Sequence, residues 1–277
     1  MTYTEIENAI NEGLENDRKE YRVKFDKVMK DGISHDVFRL KNESRIEPIY
    51  YIRNDLTEGF IYGDIVKELD LAYNTIPEMP SLSKEFILRN VHKGIAPMNR
   101  GEEFENANVY CFGMYDLLVY YYIDLGITKG GHSVMKLTKE LMNQYEIEFE
   151  ELNYAADNQE ANIEDMTDFF KMMNLDIYDI PENAPKMLII SNKERTRGAG
   201  EIMSVITRGK IYHMLGDKPY YILPSSIHEV IVVPSSIGDV KELRTMVKEV
   251  NKTLNEEDIL SNKVYKCTQN LHFDVAI

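Results

Sequence analysis

Three features of the sequence predict an α+β fold of mainly antiparallel sheets with flanking helices, arranged in two lobes. The chain starts with amphipathic helical periodicity. Short apolar runs of strand length then recur between Gly- and Pro-containing turns. A long acidic, helical stretch precedes a strand-rich last third. At 277 residues there is room for two lobes, an N-terminal one over 1–180 and a C-terminal one over 186–277.

Ile6, Ile10, Leu14, Tyr21, Phe25 and Val28 recur at helical spacing, so a helix is expected over 4–30, with Thr4 and Glu7 at the spacing of a capping box. Strands at 34–41 and 47–53 follow, joined by the polar turn at 42–44. Phe60, Ile61, Ile65, Leu69, Ala72, Tyr73 and Ile76 mark a second helix, stopped by Pro77 and Pro80. A short helix after Ser81, strands near 91–98, 109–112 and 117–124, a Gly130-Gly131 turn and a strand at 132–137 come next. The segment 138–173 reads as helical, and the lobe boundary falls at 179–185, between Pro181 and Pro185. Beyond it we expect a strand at 187–190, a polar loop at 192–198 and a helix at 199–215 closed by Gly216. Strands at 220–223 and 229–233, a helix capped by Asp239 and a strand at 263–267 complete the chain.

Composition narrows the function class. A hydrophobic share of 43% and a charged share of 29% suit a packed protein and exclude disorder. The two cysteines, Cys111 and Cys267, are isolated, which argues against a disulfide framework or a cysteine zinc site. None of the six histidines has metal-ligand spacing, so neither metal nor cofactor is implied. The N-terminus lacks a basic start followed by an apolar run, and the longest apolar stretch, 109–123, contains Asp116. That stretch is shorter than the ~20 residues of a membrane span, so a cytoplasmic protein without a membrane partner is expected.

A net charge of −15 argues against a broad nucleic-acid interface. The charge is also segregated. Residues 146–182 hold twelve acids against Lys171 alone, whereas 186–218 hold seven bases against three acids. The acidic stretch is the surface expected to meet a protein partner. Oligomeric state is not encoded in any recognisable way.

Three motifs carry candidate chemistry. Gly126–Ser133 imitates a phosphate-binding loop, but His132 replaces its lysine and the following segment is extended, so it reads as a glycine turn. Ser225, Ser226, His228 and Glu229 have the residue types of a hydrolytic triad, yet no oxyanion motif accompanies them. They read as a structural turn, and no catalytic residue is assigned. His228-Glu229 is not a zinc motif, because Val232 stands where a second His belongs. The loop 192–200 is the candidate anion site. Lys193, Arg195 and Arg197 supply cations, and Gly198 and Gly200 admit close backbone approach at the start of a helix. Its competing reading is a basic loop docked on the acidic stretch.

The C-terminal third resembles a known family. The shared pattern is Asn192-Lys193, then Gly198-Ala199, Tyr221-Ile222-Leu223-Pro224-Ser225-Ser226-Ile227-His228-Glu229-Val230, Val247-Lys248-Glu249-Val250-Asn251 and Leu260-Ser261-Asn262-Lys263-Val264-Tyr265. It is similar to an uncharacterised domain-of-unknown-function family of anaerobic Gram-positive bacteria, often encoded near mobile elements. The N-terminal half matches in layout only, and Glu194–Arg197 and Lys266–Thr268 depart from the pattern. The resemblance implies the fold class and a cytoplasmic bacterial setting, and no activity, ligand or catalytic residue. The functional expectation is therefore a non-catalytic binding protein of bacterial accessory or mobile-element origin; the alternative is an anion- or nucleotide-handling enzyme or sensor using loop 192–200.

Overall fold

The computed structural model describes residues 1–30, 33–41, 47–53, 56, 60–75, 80–128, 131–167, 185–224 and 226–276. It is an α+β protein of mostly antiparallel sheets, and the strand pairs whose register is described are antiparallel. The chain forms two compact units, one of 1–80 with 126–133 and the other of 81–125 with 134–277. The expected boundary at 179–185 lies outside the described residues except for Pro185, as do the turns at 42–44 and 76–79.

In the first unit, α1 (Tyr3–Asn16) buries Ile6, Ile10 and Leu14 at a spacing of four. Its capping box is formed by Thr2 and Glu5, two residues before the expected pair. The helix ends well short of residue 30, where the sequence pattern had placed its end. Arg18 takes a left-handed φ of 55°, and β1 (Arg22–Lys30) follows. Tyr21, Phe25 and Val28 fit helical spacing, but Val23 is buried between exposed Arg22 and Lys24, which is strand alternation. Pairing of β1 with β2 (Ile33–Lys41), from Arg22↔Lys41 to Lys30↔Ile33, decides the outcome. With β3 (Ile49–Tyr51) they form a sheet in the order β1-β2-β3. α1 and α2 (Tyr62–Asn74) share a core with Tyr21, Val23, Phe38, Leu40 and Tyr50.

The second unit begins with α3 (Lys84–Asn90), capped by Ser83, and β4 (Val91–Pro97). After α4 (Gly101–Asn106) come β5 (Cys111–Met114), β6 (Leu117–Thr128) and β7 (Gly131–Lys136), of which residues 126–133 count with the first unit. Strand β6 is flanked by β4 and β5 and also pairs with β7. Within the described part of the expected acidic helix, 138–167, there are instead two short helices, α5 (Lys139–Gln144) and α6 (Phe149–Asp157), and then strand β8 (Asn162–Asp165). β8 is extended because it pairs with β9 (Leu188–Ser191), placing Ile163 opposite Ile190.

The expected helix at 199–215 is also divided. A buried 3₁₀ segment spans Gly198–Met203, then Ser204 caps α7 (Val205–Met214), and Gly216 follows with a φ of 74°. Strands β10 (Tyr220–Leu223) and β11 (Val230–Pro234) precede α8 (Val240–Asn251), which Asp239 caps. β12 (Tyr265–Cys267) pairs with an unexpected β13 (Phe273–Val275), completing a sheet in the order β13-β12-β10-β11-β9-β8. Ile95, Leu117 and Val119 share one core with Leu188, Ile190, Ile222, Val232 and Tyr265, so strands distant in sequence hold this unit together.

Candidate functional site

The loop after β9 is organised by Asn192, whose side chain is buried. Its Oδ1 accepts the Thr196 amide at 3.0 Å, and its Nδ2 donates to Thr196 O at 2.7 Å and to the Tyr122 hydroxyl at 3.0 Å. This closes the five residues into a side-chain-bridged turn of the kind Asn favours. Arg195 and Arg197 take left-handed φ values of 51° and 55°. The glycines bring backbone to backbone. A Cβ on Gly198 would lie 2.1 Å from Asn192 N, and one on Gly200 would lie 2.0 Å from Lys93 O. The 3₁₀ segment that they open is wholly buried, and the ten-residue helix α7 starts only at Val205.

Of the three cations, Lys193 is exposed, and Arg195 pairs with Glu164 on β8. Burial pushes the Glu164 carboxyl up, but hydrogen bonds from Arg195 and Asn162 outweigh it and hold it below the ordinary value. Lys186 faces Asp165 at 3.9 Å. Two bases of the 186–218 segment thus meet acids of the 146–182 segment; residues 168–182 of that segment lie outside the described residues.

The same loop leads to a buried polar group absent from the sequence-level candidates. On β4, His92 Nδ1 meets Glu201 Oε1 at 2.8 Å, and the imidazole stacks on Tyr122 with 5.4 Å between ring centroids. Glu201, from the 3₁₀ segment, is 2% exposed. Burial and the nearby Glu201 charge push the Tyr122 phenol far up, keeping it neutral. Lys93, on the opposite face of β4, bonds Asp157 at 2.7 Å, and Asp157 also accepts Asn153 Nδ2 at 3.1 Å. Burial lowers the Lys93 pKa despite the opposing pull of Asp157. The available sequence signals were faint: two polar residues inside the strand run at 91–97, and one acid inside Gly198–Met203.

The Ser-His segment has different geometry. Ser226 Oγ accepts the amides of His228 at 3.0 Å and Glu229 at 3.3 Å. His228 Nδ1 accepts the Arg197 amide at 3.2 Å, placing the ring proton on Nε2, which faces Asp258 Oδ1 at 3.3 Å. Both ring nitrogens are occupied, so the imidazole has no lone pair left to take a hydroxyl proton. Ser191 Oγ donates to His228 O at 2.8 Å, tying the segment to β9. Ser225 lies outside the described residues, and Glu229 is half-buried.

A separate open cleft of about 570 Å³ is lined by Tyr110, Lys139, Met142, Asn143, Glu146, Ile147, Glu148 and Phe149. A second, lined by Gly209, Tyr212, His213, Asp217, Gln269 and Leu271, has a similar volume of about 570 Å³. Neither is lined by Lys193, Arg195, Arg197 or His228. Among the described residues no group of three or more His, Cys, Asp or Glu is placed to hold a metal, and no helix is long and apolar enough to cross a membrane.

Fold and site together define an α+β protein in which the segments around Asn192–Gly198 and Ser226–His228 are tied into one structural clamp. The chain belongs to DUF5688, a family of unknown function, whose family model matches residues 3–268. No curated protein and no solved structure matches it.

Proposed function

We propose that this protein acts in the cytoplasm by binding a protein partner through the acidic surface of its second unit, without catalysis of its own. One observation carries the reading. Glu151, Asp157, Glu164 and Asp165 are paired with Lys84, Lys93, Arg195 and Lys186. Exposed Glu146, Glu148, Glu150 and Glu160, in contrast, have no ion-pair partner among the described residues. Clustered like charge repels itself, and a basic partner would relieve that repulsion and be steered to the surface. The free thiols of Cys111 and Cys267 suit a reducing compartment. The engagement of both His228 nitrogens supports a turn rather than a hydrolytic role for Ser226 and His228.

The test is quantitative capture from an extract of the native host. Glu146→Lys/Glu148→Lys/Glu150→Lys should lose the captured protein, whereas Glu242→Lys/Glu249→Lys/Glu256→Lys, an equal charge change on other elements, should keep it. Equal capture by both variants would overturn the acidic-surface reading. Labelling by a serine-hydrolase probe that Ser226→Ala removes would overturn the non-catalytic one.

A second reading rests on Lys193, which is exposed and has no ion-pair partner among the described residues. In it, loop 192–200 handles an anion through Lys193, Arg195 and Arg197, with Gly198 and Gly200 allowing its approach. Glu164 competes for Arg195, so an anion would have to displace that carboxylate.

A further inference from the structure

The cleft beside α5 and α6 combines aromatic and acidic side chains. Tyr110 and Phe149, whose rings lie 6.2 Å apart, belong to its lining, and Phe112, outside the lining, meets Phe149 edge-on at 6.3 Å. Phe112 and Phe149 are 36% and 39% exposed, although aromatic rings of this size usually find cover in a packed protein. Its lining carries Glu146 and Glu148, both exposed, and burial together with the nearby Glu150 charge raises the Tyr110 pKa. Lys139 is the one cation in its lining.

We propose that this cleft binds a basic segment of another protein, which carries Lys or Arg beside aromatic or large aliphatic side chains. Its apolar residues would rest on Tyr110 and Phe149, and its cations would face Glu146 and Glu148, which line the same cleft. Charge selects this occupant over a second copy of the chain, which would bring a further −15. The inference rests on the binding reading above and narrows it to one place and one partner chemistry.

The probe is a fluorescent peptide alternating lysine with phenylalanine and leucine, titrated with the full chain and followed by anisotropy at physiological salt. A peptide of equal charge with serine at the apolar positions is the control. Phe112→Ser/Phe149→Ala should weaken binding by about tenfold or more, as loss of a buried aromatic anchor does. Phe149→Leu should retain most of the affinity, and the melting temperatures of all variants should confirm folding. Equal affinity for the serine control, or unchanged binding by the Phe112/Phe149 variant, would overturn the proposal. A concentration-dependent dimer that blocks the peptide would also overturn it. If the glutamate reversals abolish partner capture while the aromatic variant does not, the acidic-surface reading stands and the cleft falls.

Discussion

Gly200→Ala isolates the clamp between the 3₁₀ segment and β4. A Cβ there would lie 2.0 Å from Lys93 O, 2.5 Å from Lys93 C and 2.7 Å from Gly94 Cα. Carbon normally rests about 3.5 Å from such neighbours, so backbone on one side must move by more than an ångström. Both sides are constrained. β4 is paired with β6 from Val91↔Ile123 to Pro97↔Leu117, and the 3₁₀ segment is buried throughout. Overpacking typically costs ~1–3 kcal/mol, and a clash with backbone belongs at the upper end, about 3 kcal/mol. Gly209→Ala is the internal control: it lies inside α7, where a Cβ would meet Leu271 Cδ1 at an ordinary 3.5 Å. That change should stabilise the helix by ~0.5–1 kcal/mol. At ~2–4 °C per kcal/mol for a unit of this size, calorimetry should show Gly200→Ala melting about 6–12 °C below the wild type, and Gly209→Ala slightly above it. If Gly200→Ala melted with the wild type, the close approach would not be a constraint, and the structural role assigned to this glycine would be wrong.

Removing one member of the buried Lys93–Asp157 pair leaves the other charge uncompensated, so Lys93→Met and Asp157→Ala should each cost about 3–5 kcal/mol in urea unfolding; a loss below ~1 kcal/mol would show water reaching the pair. Burial pushes the Asp116 carboxyl up, but hydrogen bonds from Tyr265, Ser261 and Lys263 hold its pKa below the ordinary value. A depressed folded pKa gives stability that is present above the unfolded value near ~4 and lost as pH falls through the folded one. Asp116→Asn should therefore flatten the acid limb of the stability profile, and parallel profiles would contradict this. Ser226→Ala should cost about 1 kcal/mol, since two amides lose their acceptor, and denaturant midpoints will measure it. If the loop 192–200 is a clamp, millimolar phosphate should not raise the melting temperature above a chloride control of equal ionic strength. A rise abolished by Arg195→Ala/Arg197→Ala would favour the anion reading instead.

Local patterns alone determined the fold class and most of the elements in the second unit. The strand at 220–223, the helix capped by Asp239 and the turn closed by Gly216 all follow from signals within a few residues. Tertiary structure decided where a pattern fitted two states. Tyr21, Phe25 and Val28 fit helical spacing while Val23 between Arg22 and Lys24 fits a strand, and pairing with β2 made 22–30 a strand. Likewise 162–165 became β8 only because Leu188–Ser191 was available to pair with it. The glycines at 198 and 200 were visible as points of close approach, but what approaches them is the chain's own backbone. The His92–Glu201 contact joins residues 109 positions apart, and Phe149 of α6 meets Tyr110 and Phe112, at the start of β5, only in the folded chain. Such groupings leave no periodicity in the sequence, because burial and charge pairing act between residues that meet only after the chain has folded.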